Sequence, residues 1–479
     1  MNRREFIKKA TIAGAGAAAL SVYELSQIER AQAFPTSGGM GVEEALYKLG
    51  RGKENNVMPS IRSEILNNPR AVFLIETHVD AKIDKSGHFT EAVPQLRAEG
   101  KRIARELFVK GDAKGGQTFI KPNFTHVPEH CHNRTTGVYS SPDFIVGMVE
   151  HLRDIGNGNI MAGEGPSASS NHRAGGVYDA FDPHNIPMIE AGYERFSHFK
   201  KNELNWKKTT NSPVWKRIPY FRPIGDDDTF LINVSTLKCH LTGLTTLSIK
   251  NLQGCVPVGY GQFCTSWDAL EPNAKRAGIN FKRDFHKDYY QRVEASWLKH
   301  REAGYKRWDR LGCYKRYEEK GGWDAFKKVK NDPEARKEFM QGINGPLMRH
   351  EMWIHRGLDN ADLLKPNLNI IEGIIGLDGE ELNRQKIGND QLCNMVIAGI
   401  SPYEVDAVGS YFMGHDPREL WYTRIAKERN LGECDVNKIK IYWVRDGEIV
   451  PLKNIEEIKR HPLGLNWARM DNPTQRLFW

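Results

Sequence analysis

Residues 231–255 read LINVSTLKCHLTGLTTLSIKNLQGC, and their pattern is the most informative part of the chain about its fold. It opens with an apolar run that predicts a buried strand. Polar side chains then interrupt it, among them Lys238, His240, Lys250 and Asn251. Because lysine is almost never fully buried unless it is paired, we expect these residues at or beyond strand ends, where a parallel sheet exposes them to a shared cleft.

Short apolar strands alternate with amphipathic helices along most of the remaining chain. The clearest helix start is Ser141, Pro142 and Asp143, and that helix should stop at Gly156. This alternation predicts an α/β fold with a mostly parallel sheet and helices on both faces. Predicted strands lie at 71–75, 118–120, 159–162, 230–234, 368–374, 395–398 and 439–444, and further helices at 94–108, 403–413 and 418–429.

Residues 267–356 interrupt this pattern, because they are dense in Lys, Arg, Tyr and Trp at helical spacing. We interpret them as a basic helical insertion in a core domain made of residues 34–266 and 357–479. Two interpretations of the insertion stay open. Its aromatic and basic side chains either grip a polyanion, or the aromatic stems pack inward while the charges stay solvated. Docking of a redox partner is a further hypothesis for this segment.

The first 33 residues resemble a twin-arginine export signal. They contain the pair Arg3 and Arg4, a weakly apolar Gly/Ala-rich run, and an A-x-A cleavage motif at 31–33. A short amphipathic helix is the alternative interpretation. We expect export in the folded state by the twin-arginine machinery, and a mature protein in the periplasm or outside the cell. No later run reaches the roughly 18 apolar residues that a membrane span needs, so none is expected after cleavage.

Composition and motifs argue against several classes of protein. Hydrophobic residues make up 39 % of the 479 residues and charged residues 27 %, unlike disordered chains. The net charge is +8 and falls to +6 without the first 33 residues, which carry five basic and three acidic side chains. Because this charge is mild and no nucleic-acid-binding motif occurs, we do not expect nucleic acid as a partner. The chain also lacks a P-loop, a G-x-S-x-G nucleophile elbow and a G-x-G-x-x-G dinucleotide motif.

Charged and amide side chains follow three of the predicted strands. Lys121 and Asn123 follow one strand, Glu164 ends the next in a G-E-G-P motif, and Lys238 and Lys250 belong to the third. The carboxyl ends of parallel strands meet at one edge, so these side chains should lie close together. Crowded ammonium groups either lose proton affinity or require an anion between them. Three interpretations stay open. The anion beside the lysines is Glu164, or it is a small carboxylate or phosphate ligand, or the Lys and Glu side chains form a purely structural network.

Histidine and cysteine side chains cluster near the same strand ends. His130 and His132 flank Cys131 in one loop, and Cys239 precedes His240 at the third strand end. Imidazole and thiolate are the usual ligands of transition metals, and ligand sets normally combine two or more segments. The spacing H-x-x-x-H-C-H matches no standard zinc signature. A transition-metal site with ligands His130, His132, Cys239 and His240 therefore stands beside two alternatives, solvated loop histidines and a disulfide of Cys131 or Cys239.

Four ordered motifs resemble a known family. They are I-K-P-N, G-E-G-P, the block L-K-C-H-L-T-G-L-T-T-L-S-I-K-N-L-Q-G, and I-A-G-I-S-P-Y-E-V-D-A-V-G-S-Y-F-M-G near the C-terminus. Together they are similar to the domain of unknown function 362 family, over residues 72–417 apart from the insertion. The resemblance implies that Lys238, His240, Lys250 and Asn251 occupy motif positions of that family. Some members carry an iron–sulfur module with C-x-x-C spacing, but this chain has no C-x-x-C, so such a cluster is not expected.

These observations lead to two hypotheses for function. The first is an exported metal- or cofactor-dependent enzyme, in one version linked to redox chemistry, that acts on a small anionic substrate. Its ligand-binding residues would be Lys121, Asn123, Lys238, Lys250 and Asn251. Glu164 or His240 would serve as acid or base, since neighbouring lysines could tune either group. The second is a periplasmic binding or assembly protein, or a redox-complex subunit, that holds an anion or metal at the same edge without turnover.

Overall fold

The three-dimensional structure of the chain is a computed structural model. It describes residues 40–50, 54–83, 89–90, 92–127, 134–165, 171–191, 201–240, 243–257, 280–302, 319–341, 344–379 and 389–464. The predicted signal segment at 1–33 lies outside the described residues, as do His130, Cys131 and His132.

A mixed, mostly parallel sheet forms the centre of the fold, as predicted. The described strands are β1 (Val57–Ile61), β2 (Val72–Glu76), β3 (Lys82–Ile83), β4 (Phe89–Thr90), β5 (Phe108–Lys114), β6 (Gln117–Lys121), β7 (Ile160–Glu164), β8 (Met188–Glu190), β9 (Leu204–Lys208), β10 (Arg217–Phe221), β11 (Thr229–His240), β12 (Leu244–Thr246), β13 (Leu368–Asp378), β14 (Asn389–Gly399), β15 (Ile441–Arg445) and β16 (Glu448–Pro451).

Ten of these strands pair in the order β16-β15-β2-β14-β13-β11-β6-β7-β8, with β12 added on β11. Strands β15, β2, β13, β11, β6, β7 and β8 run in one direction, whereas β16, β14 and β12 run against them. The carboxyl ends of β13, β11, β6 and β7 therefore lie side by side at one edge of the sheet. This is the edge at which open parallel sheets bind ligands.

Helices cover both faces of the sheet. They are α1 (Val42–Gly50), α2 (Ser63–Leu66), α3 (Val93–Leu107), α4 (Pro142–Asp154), α5 (Val177–Phe181), α6 (Ser248–Asn251), α7 (Phe281–Asp284), α8 (Tyr289–Glu302), α9 (Gly322–Val329), α10 (Pro333–Met340), α11 (Asn344–Leu364), α12 (Pro402–Phe412) and α13 (Trp421–Glu428). Neighbouring residues of a strand face opposite sides. Accordingly Ile120 packs in one cluster with helices α3, α4 and α5, whereas Phe119 packs in another with α8, α11 and α13.

Helix α4 positions the loop that reaches the sheet edge, and its start and end match the sequence signals. The Ser141 side chain accepts a hydrogen bond from the Phe144 N–H at 3.2 Å and caps the helix, which ends shortly before Gly156. Gly100 of α3 and Gly147 of α4 allow the two helices to pack tightly. A Cβ at either glycine would lie 2.0 Å from a carbonyl oxygen of the other helix.

The described helices of the predicted insertion pack on the sheet. Trp297, Phe326 and Met340 are buried in the same hydrophobic cluster as Phe119 of β6. Helix α11 runs across the predicted boundary at 356–357 without a break. The division into core and insertion stays a prediction. In the described part of residues 267–356, the aromatic side chains Trp297 and Phe326 pack inward. None of the described helices is both long enough and apolar enough to cross a membrane.

Candidate functional site

Two lysine ammonium groups are buried at the carboxyl-terminal edge of the sheet. Lys121 is the last residue of β6 and Glu164 the last of the adjacent β7, while Lys238 lies near the end of β11 on the other side of β6. The exposed fraction is 0 % for Lys121 and 1 % for Lys238. A buried charge is costly unless other groups compensate it, so the partners of each ammonium group decide its role.

All three N–H groups of the Lys121 ammonium have acceptors within the protein. Its Nζ donates to Glu164 Oε2 at 2.7 Å, to the Pro122 carbonyl at 2.6 Å and to Asn251 Oδ1 at 3.2 Å. Because an ammonium group has three donors and no acceptor, Lys121 has none left for a ligand. Its contribution to a site at this edge is its charge and the fixed position of its neighbours.

Both oxygens of the Glu164 carboxylate accept hydrogen bonds within the protein. Besides Lys121, its Oε2 accepts the Phe124 N–H at 2.8 Å, and its Oε1 accepts the Gly165 N–H at 2.9 Å. The backbone of Gly254 packs directly against it, since a Cβ there would lie 1.9 Å from Glu164 Oε1. This geometry favours a role for Glu164 in holding Lys121 over the acid–base role predicted from the sequence.

Asn251 joins the short helix α6 to the strand ends. Its Nδ2 donates to the carbonyls of Lys121 at 3.1 Å and Val234 at 3.2 Å, and to Asn233 Oδ1 at 2.8 Å. Asn233 in turn donates to Asn369 Oδ1 at 2.8 Å. These hydrogen bonds of side-chain amides connect β6, β11 and β13 beneath the edge. We call the buried, mutually hydrogen-bonded side chains that support this edge of the sheet the frame. Lys121, Glu164 and Asn251 belong to it.

Asp406 of α12 fixes the beginning of α6. Its two carboxylate oxygens accept the N–H groups of Ser248 at 2.7 Å and Ile249 at 3.0 Å. Burial raises the pKa of Asp406 to about 7, against the effect of these two hydrogen bonds. The carboxylate thus satisfies helix N–H groups that would otherwise have no acceptor within the helix.

Asn123 and Lys238 form a hydrogen-bonded pair at the same edge of the sheet. Lys238 Nζ donates to the Val138 carbonyl at 2.6 Å and to Asn123 Oδ1 at 3.0 Å. Because an ammonium group only donates, the amide orientation is determined: Oδ1 faces Lys238, and Nδ2 is directed elsewhere. Nδ2 donates to none of the described residues, although Asn123 is only 3 % exposed. A side-chain donor without a partner among the described residues is available to a ligand, so Asn123 Nδ2 is a candidate ligand contact.

A buried imidazolium supports the loop that carries Asn123. His172 Nδ1 lies 2.7 Å from Glu190 Oε1 and Nε2 lies 2.8 Å from the Phe124 carbonyl. Both partners are acceptors, so both ring nitrogens carry hydrogen. Burial alone would lower the pKa of His172, but the charge and hydrogen bond of Glu190 and the bond to Phe124 raise it above its usual value. Together, His172 and Glu164 hold Phe124 from both sides.

Glu372 is a buried carboxyl group behind Asn123. Its Oε2 accepts the Ser141 N–H at 3.1 Å, while the backbone of Ser140 and Asn123 is joined by a hydrogen bond of 3.1 Å. Burial raises the pKa of Glu372 to about 8, although the N–H groups of Ser141, Ile374 and Ile375 oppose the shift. At neutral pH this group is therefore mostly protonated.

We predict that Glu372→Gln flattens the pH dependence of stability. In the unfolded chain the glutamate titrates near 4.5, and in the fold near 8. Between these values the folded state binds more protons at Glu372. The stability that Glu372 contributes is therefore fully present below pH 4.5 and is lost as the pH rises towards 8, by at most about 1.4 kcal/mol per pH unit. Urea unfolding at pH 5, 6, 7 and 8 should show a shallower slope for the variant. Equal slopes in the two proteins would contradict the assignment.

The other predicted ligands lie around this frame. Lys250 is half-buried on α6. His240 Nδ1 accepts the Gly243 N–H at 3.1 Å, and its ring stacks on Trp353 with centroids 5.6 Å apart. A neutral His240 ring therefore carries its hydrogen on Nε2. Cys239 is buried in an apolar cluster on the opposite strand face from Lys238.

The predicted metal site receives no further support from the described part of the chain. There, no group of three or more His, Cys, Asp or Glu side chains is arranged to hold a metal ion. His130 and His132 lie outside the described residues. The ligand set His130, His132, Cys239 and His240 therefore stays a prediction.

Sequence reasoning missed three polar residues of the frame, Ser140, Asn233 and Glu372. A signal existed for two of them, because Asn233 and Glu372 interrupt the apolar runs of β11 and β13. An amide or carboxyl group inside a strand buried on both faces needs specific partners. Ser140 carries no such signal, since serine is ordinary before a helix.

The fold and this edge define an α/β protein with a network of buried polar side chains at the carboxyl ends of parallel strands. The family model described as Domain of unknown function (DUF362) matches residues 118–411, which is more than half of the chain, and the chain belongs to this family. The matched range begins in β6 and ends in α12, so it includes the whole frame from Lys121 to Asp406. Comparison with curated proteins gives no match, and comparison with solved structures gives none either.

Proposed function

We propose that this protein is an exported enzyme that acts on a small anionic substrate at the carboxyl-terminal edge of its sheet. The observation that carries the proposal is the Asn123 amide, whose Oδ1 accepts a hydrogen bond from Lys238 while its Nδ2 donates to none of the described residues. An ammonium group and an amide N–H side by side match the oxygens of a carboxylate or phosphate.

The surrounding network makes this pair an ordered site. Lys121, Glu164 and Asn251 satisfy one another and have little left for a ligand. They hold Asn123 in place, because Asn123 follows Lys121 by two residues. A contact fixed by a buried supporting network binds with less loss of conformational entropy. Half-buried Lys250 stays a candidate for a further contact.

Acid–base groups near the site support an enzyme over a simple binding protein. Titratable groups with strongly shifted pKa values are concentrated at functional sites. Here burial raises the pKa of Glu372 to about 8 and that of Asp406 to about 7. Of the two acid–base residues predicted from the sequence, His240 is the better candidate, because Glu164 is enclosed. With Nδ1 bonded to Gly243, His240 would transfer its proton through Nε2.

The second candidate is a periplasmic binding or assembly protein that holds an anion or metal without turnover. Lys121 and Lys238 are held in a fixed hydrogen-bonded network, and such an arrangement is compatible with anion binding alone as well as with catalysis. A docking role of residues 267–356 towards a redox partner belongs to this candidate. Elemental analysis of protein purified from its export route, compared with a Cys239→Ala/His240→Ala variant, separates a metal-dependent from a metal-free site.

Replacing Lys238 with methionine tests the proposed site. Loss of a hydrogen bond from a charged donor typically costs about 1.5–3 kcal/mol, so binding should weaken at least about 10-fold. Isothermal titration calorimetry with inorganic phosphate, sulfate and acetate measures this, with circular dichroism as a check of the fold. Lys48→Met is the matched control, because Lys48 is an exposed lysine on α1. A Lys238→Met protein that binds these anions like the wild type would refute the proposed site.

A further inference from the structure

Two threonine hydroxyl groups beside Lys238 have no hydrogen-bond partner among the described residues. They are Thr236 Oγ1 of β11 and Thr246 Oγ1 of β12, and both residues are 0 % exposed. A buried hydroxyl group without a partner loses its hydration and gains nothing in return. Such groups are few in native proteins, and each one calls for an explanation.

The strand geometry puts both hydroxyl groups on the same face as Lys238. Thr246 is the cross-strand neighbour of Lys238 in the β11–β12 pair, and Thr236 precedes Lys238 by two residues on β11. Directly paired residues and residues two apart in a strand share a face. The intervening Thr245 faces the other side, where its hydroxyl contacts Ser410 and Tyr422.

We propose that Thr236 and Thr246 complete the binding site for the oxyanion group of the substrate. This inference rests on the proposed function and names the group that the site would enclose. Lys238, the Asn123 amide and the two hydroxyl groups are all able to donate hydrogen bonds. A carboxylate, phosphate or sulfate group offers only acceptors, so it matches this set. A cationic group would meet the Lys238 ammonium and is disfavoured.

The low exposure of these residues adds a second property of the ligand. Asn123, Thr236, Lys238 and Thr246 are each at most 3 % exposed. The anionic group would therefore be enclosed by protein and not held on the surface. In an enclosed site, charge-assisted hydrogen bonds are stronger than in water. The site should accordingly discriminate between the oxyanion and its neutral ester or amide analogue.

Threonine-to-valine variants separate this inference from a structural role of the hydroxyl groups. Valine keeps the shape of threonine and removes only the hydroxyl group. Because neither hydroxyl has a partner among the described residues, Thr236→Val/Thr246→Val should keep or raise the melting temperature. Its affinity for inorganic phosphate, sulfate or acetate should fall about 10-fold or more. Thr245→Val is the matched control: it loses hydrogen bonds on the opposite face, so it should be less stable but bind like the wild type.

The outcomes distinguish this inference from the proposed function. If Lys238→Met loses binding while the double valine variant binds like the wild type, the anion site stands and the role of the threonines is overturned. If the wild type binds none of the three anions, the proposed function fails and this inference fails with it. Should the double variant not fold, Thr236→Val and Thr236→Ser decide. Serine restores the hydroxyl group, so binding should return with serine, and equal binding by both would overturn the inference.

Discussion

Lys121→Met should lower the free energy of unfolding by about 3–5 kcal/mol, because it leaves a buried carboxylate without its counter-charge. Lys121 and Glu164 are both 0 % exposed, and their charged atoms lie 2.7 Å apart. Asn251 Oδ1 and the Pro122 carbonyl lose their donor at the same time. Methionine fills a similar volume, so the loss comes from charge and hydrogen bonding.

Urea unfolding at pH 7 measures this loss. Lys48→Met is again the control, since the exposed Lys48–Glu44 pair on α1 should contribute no more than about 0.5 kcal/mol. Lys121→Met/Glu164→Gln removes both charges and should recover part of the stability. If Lys121→Met alone lowers the free energy of unfolding by less than about 1 kcal/mol, water reaches the Lys121–Glu164 pair and the pair is not buried as described.

The sequence predicts the architecture well where its signals are local. The Ser141-Pro142 start and the Gly156 stop locate α4 almost to the residue. The apolar run after Leu368 locates β13 but not its full length. Strand direction is not local, however: β14 runs antiparallel between β13 and β2, and nothing in the apolar pattern of residues 395–398 indicates this.

The sequence also predicts which side chains gather at the edge, because residues after parallel strands meet there. Lys121 pairs with Asn251 and Lys238 with Asn123. The Ser140 hydroxyl and the Val234 carbonyl join the two pairs into one hydrogen-bonded network. What the sequence does not contain is the distribution of their hydrogen bonds. All three N–H groups of the Lys121 ammonium have acceptors, whereas Asn123 Nδ2 donates to none of the described residues. That difference depends on the packing of Glu164 against β6 and cannot be inferred from residue type.

The separation between frame and ligand contacts has a physical reason. A residue that binds a ligand must keep unsatisfied groups, which destabilises the empty protein. The residues around it can compensate by being fully satisfied themselves. Here Lys121, Glu164 and Asn251 have hydrogen-bond partners within the protein. The two threonine hydroxyl groups and the Asn123 Nδ2 have none among the described residues. A buried polar network stabilises the fold when every member has its partners, and removing one member costs stability because the remaining groups are left unpaired.

Gly254→Ala should therefore destabilise the protein by about 3 kcal/mol, although it adds a single methyl group. The added Cβ would lie 1.9 Å from Glu164 Oε1 and 2.9 Å from both Lys121 Cε and Nζ. Side-chain tips normally move aside at little cost, but these two are tied to each other and to Phe124, Gly165 and other groups. Overpacking typically costs about 1–3 kcal/mol, and loss of the ion pair would add to it.

The backbone is not the cause of this effect, because Gly254 does not have the positive φ that would favour glycine. Gly158→Ala is the matched control: a Cβ there meets nothing within 4 Å, so its effect should stay within about 0.5 kcal/mol. A double-mutant cycle locates the clash. In a Glu164→Ala background, Gly254→Ala should cost clearly less than in the wild type, since the obstructing carboxylate is gone. An equal cost in both backgrounds would show that Gly254 acts elsewhere and that the packing of the frame has been misassigned.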